Sequence, residues 1–250
     1  MFEFFRKIKN VDIKLDKLDR SNERKEKFQR YKSLVESNSN KIQIAKFLIS
    51  VIVEHMNFSE AVQALESEHE VQDNSLIEEI YMNIENELLL EHCLIESDGI
   101  IEGNKKFHSR NDFKRADKKY SKININELPI LLNPWNGNRV IDNLVAINEK
   151  NVFDGITYSF NIQNHYLYPM SIIVCNGGNH SQFAARIKNQ GYTIIKESHN
   201  YSKIYDLVEF NGENYIKSMD KTIIELNYDK NLLFYSGVIF EMGRYILENE

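Results

Sequence analysis

The residues best placed to do chemistry sit in one short stretch, Asn176-Gly177-Gly178-Asn179-His180-Ser181, between an apolar run (Met170, Ile172, Ile173, Val174) and the helix-compatible segment QFAARIKNQG. Adjacent glycines allow backbone conformations closed to other residues and let a second group approach the main chain. If a helix opens here, its first amides are unpaired and its end carries partial positive charge. A phosphate above Gly177, Gly178, Asn179 and Ser181 would then be held by N–H groups, assisted by the Ser181 hydroxyl. His180 reads either as a phosphate-contacting, proton-shuttling catalytic residue or as a polar residue that steadies the turn. Clamping charge could come from Arg139, from Arg186 one turn into the helix, or from the basic run Lys105–Lys122. The competing reading is plainer: Asn179 or Ser181 caps the helix and the glycines only make it tight. Neither a G-x-x-x-x-G-K-[ST] phosphate loop nor a G-x-G-x-x-G fingerprint occurs.

The elements around this turn follow from punctuation. Residues 1–98 contain no glycine or proline, whereas all ten glycines and three prolines lie from Gly99 onward. The sequence therefore predicts an α+β chain: a helical region over 1–98, a basic linker or helix over 99–122, and a mixed α/β unit with a C-terminal helix over 123–250. In the first region the spacing predicts helices over 8–35, 41–56, from Glu60 to about His69, and from Ser75 to about Asp98. Asn38-Ser39-Asn40 and Ser59 punctuate them, and Ser75 with Glu78 matches the S-x-x-E capping box. In the second, strands are expected over Ile123–Leu132, Ile156–Phe160, Tyr168–Cys175 and Tyr192–Lys196, a helix over Arg139–Glu149, a hairpin about Asn211-Gly212, and a final helix over Leu232–Leu247.

Composition narrows the function class. With 42% hydrophobic and 27% charged residues among 250, the chain is ordinary globular material. A net charge of −6 gives no overall drive toward nucleic acid or anionic lipid, so nucleic acid would have to be met locally, through Lys105–Lys122. The longest apolar stretch, Ile44–Val53, is too short to span a bilayer, and the N-terminus lacks a signal-peptide pattern, so no membrane and a cytoplasmic location are expected. Cys93 and Cys175 form no CxxC pair. His55, His69 and His92 read as helix-surface or interface residues, and His165 and His199 as surface residues. Glu127, Asp142, Glu149 and Asp154 have no spacing that selects a metal ligand, so no metal residue is assigned. The richness in Lys, Asn and Ile is that of an AT-rich genome, such as a low-GC bacterium or its phage.

The segment from about 123 to 200 resembles the ParB and sulfiredoxin superfamily. Leu128-Pro129-Ile130, Asn133-Pro134 and Arg139 are similar to its first element, and Val174 through Ser181 with Ala184-Ala185 to its second; Gly191 before the next strand continues the pattern. The resemblance implies a nucleotide-binding fold that takes ATP or CTP with Mg2+ at the turn, in a phosphoryl-transfer enzyme or NTPase. The alternatives are a non-catalytic nucleotide sensor or sequestering module and a DNA-acting ParB-like nuclease. A homo-oligomer is compatible with each. Asn179 stands where sulfiredoxin has its cysteine, which removes that nucleophile, and Ser181 stands where an arginine usually follows the histidine.

Overall fold

The structure, a computed structural model, describes residues 20–66, 73–95, 107–109 and 121–250. The expectations for residues 8–19, for His69, for Gly99 and for most of Lys105–Lys122 lie outside the described residues. Within them the chain is α+β, with six helices and small mixed sheets.

A helix over residues 20–36, α1, ends at the Asn38-Ser39-Asn40 break, and Asn40 Oδ1 accepts Gln43 N–H at 3.2 Å to cap the next, as its position predicts. That next helix, α2 (Lys41–Glu66), runs unbroken where two helices were expected. With no glycine or proline to stop it, the helix carries Asn57 inward. There Asn57 donates to Ile130 O and accepts from Leu132 N–H, both at 2.8 Å. Helix α3 (Leu76–Glu87) stops earlier than its apolar stripe suggests, through Leu89 in a left-handed conformation (φ 54°), and the chain enters strand β1 (Cys93–Ile95).

The remaining elements are β2 (Phe107–Ser109), β3 (Ser121–Asn124), β4 (Ile130–Leu131), α4 (Gly137–Ala146), β5 (Asn164–Tyr168), β6 (Ile172–Cys175), α5 (Asn179–Lys188), β7 (Tyr192–Ile195), β8 (Glu197–Asn200), a 3-10 turn (Ser202–Ile204), β9 (Val208–Phe210), β10 (Tyr215–Lys217) and α6 (Lys230–Asn249). The main sheet has the order β2-β1-β8-β5-β6-β4, with β4/β6 and β5/β8 parallel and the other pairs antiparallel; β3–β7 and β9–β10 form separate ladders. Three expected strands change. Ile123–Leu132 is split into β3 and β4, and Tyr168–Cys175 is interrupted by the turn that joins β5 to β6. Ile156–Phe160 is a turn organised by Asp154, whose Oδ1 accepts the amides of Ile156 and Thr157; its alternating Ile156, Tyr158 and Phe160 are exposed.

Strand alternation divides the core in two. Leu131, Leu167, Ile172 and Val174 face α2, α3 and α6, while Ile130, Tyr166, Ile173 and Cys175 face the α5 residues Phe183, Ala184 and Ala185 and the β7 residues Ile194 and Ile195. The first cluster joins helices from before Gly99 to α6, so the composition boundary is not a boundary in the core. No described helix is long and apolar enough to cross a membrane.

Candidate functional site

Strand β6 delivers the glycine turn at its carboxyl end, and α5 starts within it. Gly178 is left-handed (φ 80°), and a Cβ there would sit 2.8 Å from Ile162 Cδ1; one on Gly177 would meet Asn161 O at 2.6 Å. Gly177 is thus required by the close passage of the Asn161 carbonyl, and Gly178 by its left-handed conformation. Beneath the turn lies a buried polar network. Gln182 Nε2 donates to Asn164 Oδ1 (3.0 Å), and Asn164 Nδ2 donates to Gln182 Oε1, Thr193 Oγ1 and Ile194 O, which fixes α5 against β5 and β7.

Neither expected cap is formed. Asn179 Oδ1 accepts the Asn133 amide at 2.8 Å, Ser181 Oγ donates to Gly178 O at 3.2 Å, and α5 has no side-chain cap. Its first backbone bond runs from Gln182 N–H to Gly178 O (3.0 Å), which leaves the preceding amides outside the helix ladder. Gly177, Gly178, Asn179 and Ser181 are only half-buried. A cavity of about 230 Å³ reaches Ser181 and is walled by Asn143, Ile147, Phe153, Tyr158 and Phe160 among others. A larger one, about 500 Å³, lies between α3 and residues 224–228, but Glu79, Glu87 and Glu225 line it, which suits no anion.

The other predicted site residues separate. His180 is buried, and its Nε2 accepts the Asn136 amide at 3.2 Å; burial and the nearby Arg139 charge push its pKa down to about 4. A neutral imidazole with that nitrogen engaged ties the start of α5 to the loop before α4. Arg139 is exposed, its guanidinium 5.3 Å from the Trp135 ring centre, and Trp135 packs edge-on against His180 at 5.3 Å. Arg186 points away from the turn. Its guanidinium donates to Ile125 O (2.7 Å) and Leu128 O (3.0 Å) and pairs with Glu54, so it ties α5 to α2 and is corrected from a phosphate clamp to a structural tie.

A second cluster, absent from the sequence reading, lies where α3 meets the opposite face of the sheet. Glu78, expected as a capping-box carboxylate, turns inward, and Ser75 instead donates to Asp73. Glu78 Oε1 is 2.9 Å from His165 Nδ1 and 3.0 Å from His199 Nδ1, while Asn176, the first residue of the glycine turn, donates to Glu78 Oε2 at 3.1 Å. His165 and His199 were expected at the surface; their side chains are 21% and 7% exposed. The signal that could have found them is strand alternation, because His165 shares a face with buried Leu167, and Leu167 pairs with His199 across β5 and β8. Burial opposes ionisation of Glu78, but the two imidazoles hold its carboxyl well below the usual range. Burial likewise works against charging His199, but Glu197 and Glu78 bring its pKa up to about 9.

The model of a family of unknown function (DUF6710) matches residues 13–250, and the chain belongs to that family. No curated protein and no solved structure matches it.

Proposed function

We propose that this protein binds a nucleotide, or a related phosphate-bearing small molecule, at the amino end of α5. The observation that carries the reading is the uncapped start of that helix beside the cavity that reaches Ser181. Peptide amides with no partner and the positive end of the helix dipole favour an anion there. The cavity is below the roughly 300 Å³ floor of drug-sized pockets, so it suits the base or sugar while the phosphates lie outside it over Gly178–Ser181. Its wall includes Tyr158 and Phe160, aromatic faces against which a base can stack. Arg139 supplies the nearby cation. The position is also the one favoured in α/β folds, at the carboxyl end of a strand. ATP or CTP, with Mg2+, is the ligand class this reading selects.

Calorimetry with ATP, CTP and GTP tests it on the full chain and on Arg139→Ala. One nucleotide should bind per chain, and the variant should bind about tenfold more weakly with an unchanged melting temperature. No binding of any of the three, or equal binding by the variant, rejects the reading. Phosphate release in the presence of Mg2+ separates turnover from simple binding.

A further inference from the structure

We propose that Glu78, His165 and His199 form a site for one first-row divalent transition-metal ion, with Zn2+ as the representative. The inference is independent of the nucleotide reading. Three elements that meet only in the folded chain, α3, β5 and β8, each contribute one ligand, and the three ligand atoms lie within 4.8 Å of one another. Two imidazole nitrogens and a carboxylate oxygen are the donor set of mononuclear catalytic zinc and of non-haem iron sites; Mg2+ and Ca2+ prefer all-oxygen surroundings.

His165 Nδ1 hydrogen-bonds the Glu78 carboxylate, but the His199 contact with it is not that of a simple ion pair. The His199 side chain is 93% buried, and its Nδ1, though 3.0 Å from Glu78 Oε1, makes no hydrogen bond of acceptable geometry. Two donors close together but not aimed along an N–H···O line are what two ligands of a common ion present. Buried polar atoms otherwise almost always find a partner. The rings of His165 and His199 stack at 5.0 Å with 22° between planes, so the two nitrogens present side by side.

An outer shell is also in place. His199 Nε2 lies 3.4 Å from Glu197 Oε2, the carboxylate–histidine pairing that orients metal-bound imidazoles, and Asn176 Nδ2 fixes the second Glu78 oxygen at 3.1 Å. The edge of the His92 ring packs on His199 at 4.8 Å and limits its rotation. Three protein ligands leave a coordination position for water. Asn176 is exposed and His165 only half-buried, so that position would be reached from the side of the glycine turn.

The test is titration of the chelator-treated full chain with Zn2+, followed by calorimetry and melting temperature, and with Co2+, followed by visible absorption. Wild type and the control His55→Ala should take up one ion per chain and melt higher with it. His165→Ala and Glu78→Gln should bind about 100-fold more weakly. X-ray absorption at the zinc edge of the loaded wild type needs no variant, and should show scattering from two imidazole rings. Absence of stoichiometric Zn2+ or Co2+ binding, equal binding by the two cluster variants, a preference for Mg2+ or Ca2+, or a zinc spectrum without imidazole scattering would overturn the site and leave an ion-paired cluster.

Discussion

The side-chain oxygen of Asn179 accepts the backbone N–H of Asn133 at 2.8 Å, although Asn179 is the first residue of a helix whose own amides it could have capped. The bond joins the two segments that bracket the proposed anion site, the loop after β4 and the glycine turn. Asn179→Ala removes the acceptor from a half-buried amide and should lower stability by about 1–2 kcal/mol in chemical denaturation. Asn179→Asp keeps an acceptor and adds a negative charge where the helix dipole welcomes it, so the fold should hold. The same charge would repel a phosphate. Calorimetry should then show nucleotide affinity falling about tenfold or more in a protein that melts no lower than wild type.

His180 makes the parallel tie to Asn136, and it does so as a neutral ring, with its pKa pushed down to about 4 by burial and by Arg139. Above the ordinary histidine pKa of about 6.5 the ring is neutral whether folded or unfolded, and it adds no pH dependence. Between about 6.5 and 4 the unfolded chain takes up a proton that the folded one refuses. Stability should therefore decline with falling pH across that window, by at most about 3 kcal/mol, and this contribution should level off below it. His180→Gln retains an acceptor for Asn136 but cannot titrate. Urea denaturation at a series of pH values should show a shallower acid decline for the variant; identical curves would mean the ring is not protected from protons.

Glu60 has the opposite sign. It is 2% exposed, its Oε1 accepts the Asn74 amide at 2.9 Å, and its Oε2 is buried with no partner. Burial, opposed by the Asn74 bond and reinforced by Asp73, raises its pKa to about 9. The folded state keeps a proton that the unfolded state releases near pH 4.5, so this contribution is complete at low pH and is lost as pH rises toward 9. The slope is at most about 1.4 kcal/mol per pH unit. Glu60→Gln preserves the shape and the acceptor without the ionisation. Its advantage over wild type in thermal melts should grow from pH 5 to pH 8.

Local chemistry explains what could be read from the sequence. The Asn40 cap, the Asn211-Gly212 hairpin and the start of α5 each depend on a few neighbouring residues, and each lies where its residues predict. Non-local pairing explains the misses. Ser75 and Glu78 satisfy a capping pattern, yet the helix start carries no side-chain cap: Ser75 bonds Asp73, and Glu78 turns to face one buried and one half-buried histidine, which come from strands much later in the chain. Isolated in sequence, His165 and His199 have no metal-ligand spacing; only the parallel register of β5 with β8 places them together. Arg186 had the right charge and helix position for a phosphate, but side-chain direction decides its role, and Ile125 O, Leu128 O and Glu54 lie on the face it presents. Strand Ile156–Phe160 failed for a related reason: alternation marks a strand only when one face is buried.

Gly237 shows the same dependence on distant partners within a helix that was itself legible. It lies in the middle of α6, where glycine costs about 1 kcal/mol relative to alanine, so helix propensity alone forecasts that Gly237→Ala stabilises the protein. The packing forecasts the reverse. A Cβ at this position would sit 2.4 Å from the Phe210 ring, on the hairpin strand β9 that α6 packs against. That ring is 3% exposed and is held by Phe28, Tyr215 and Phe234 on its other sides, so it has little room to retreat. Overpacking of this kind costs about 1–3 kcal/mol, which outweighs the propensity gain. Gly237→Ala should lower the melting temperature by several degrees, and Phe210→Leu, which alone leaves a cavity, should cost less in the Gly237→Ala background than in wild type. A double-mutant cycle by thermal denaturation measures that coupling. Additive losses would mean that the helix and hairpin are further apart than the close approach of Gly237 to Phe210 requires.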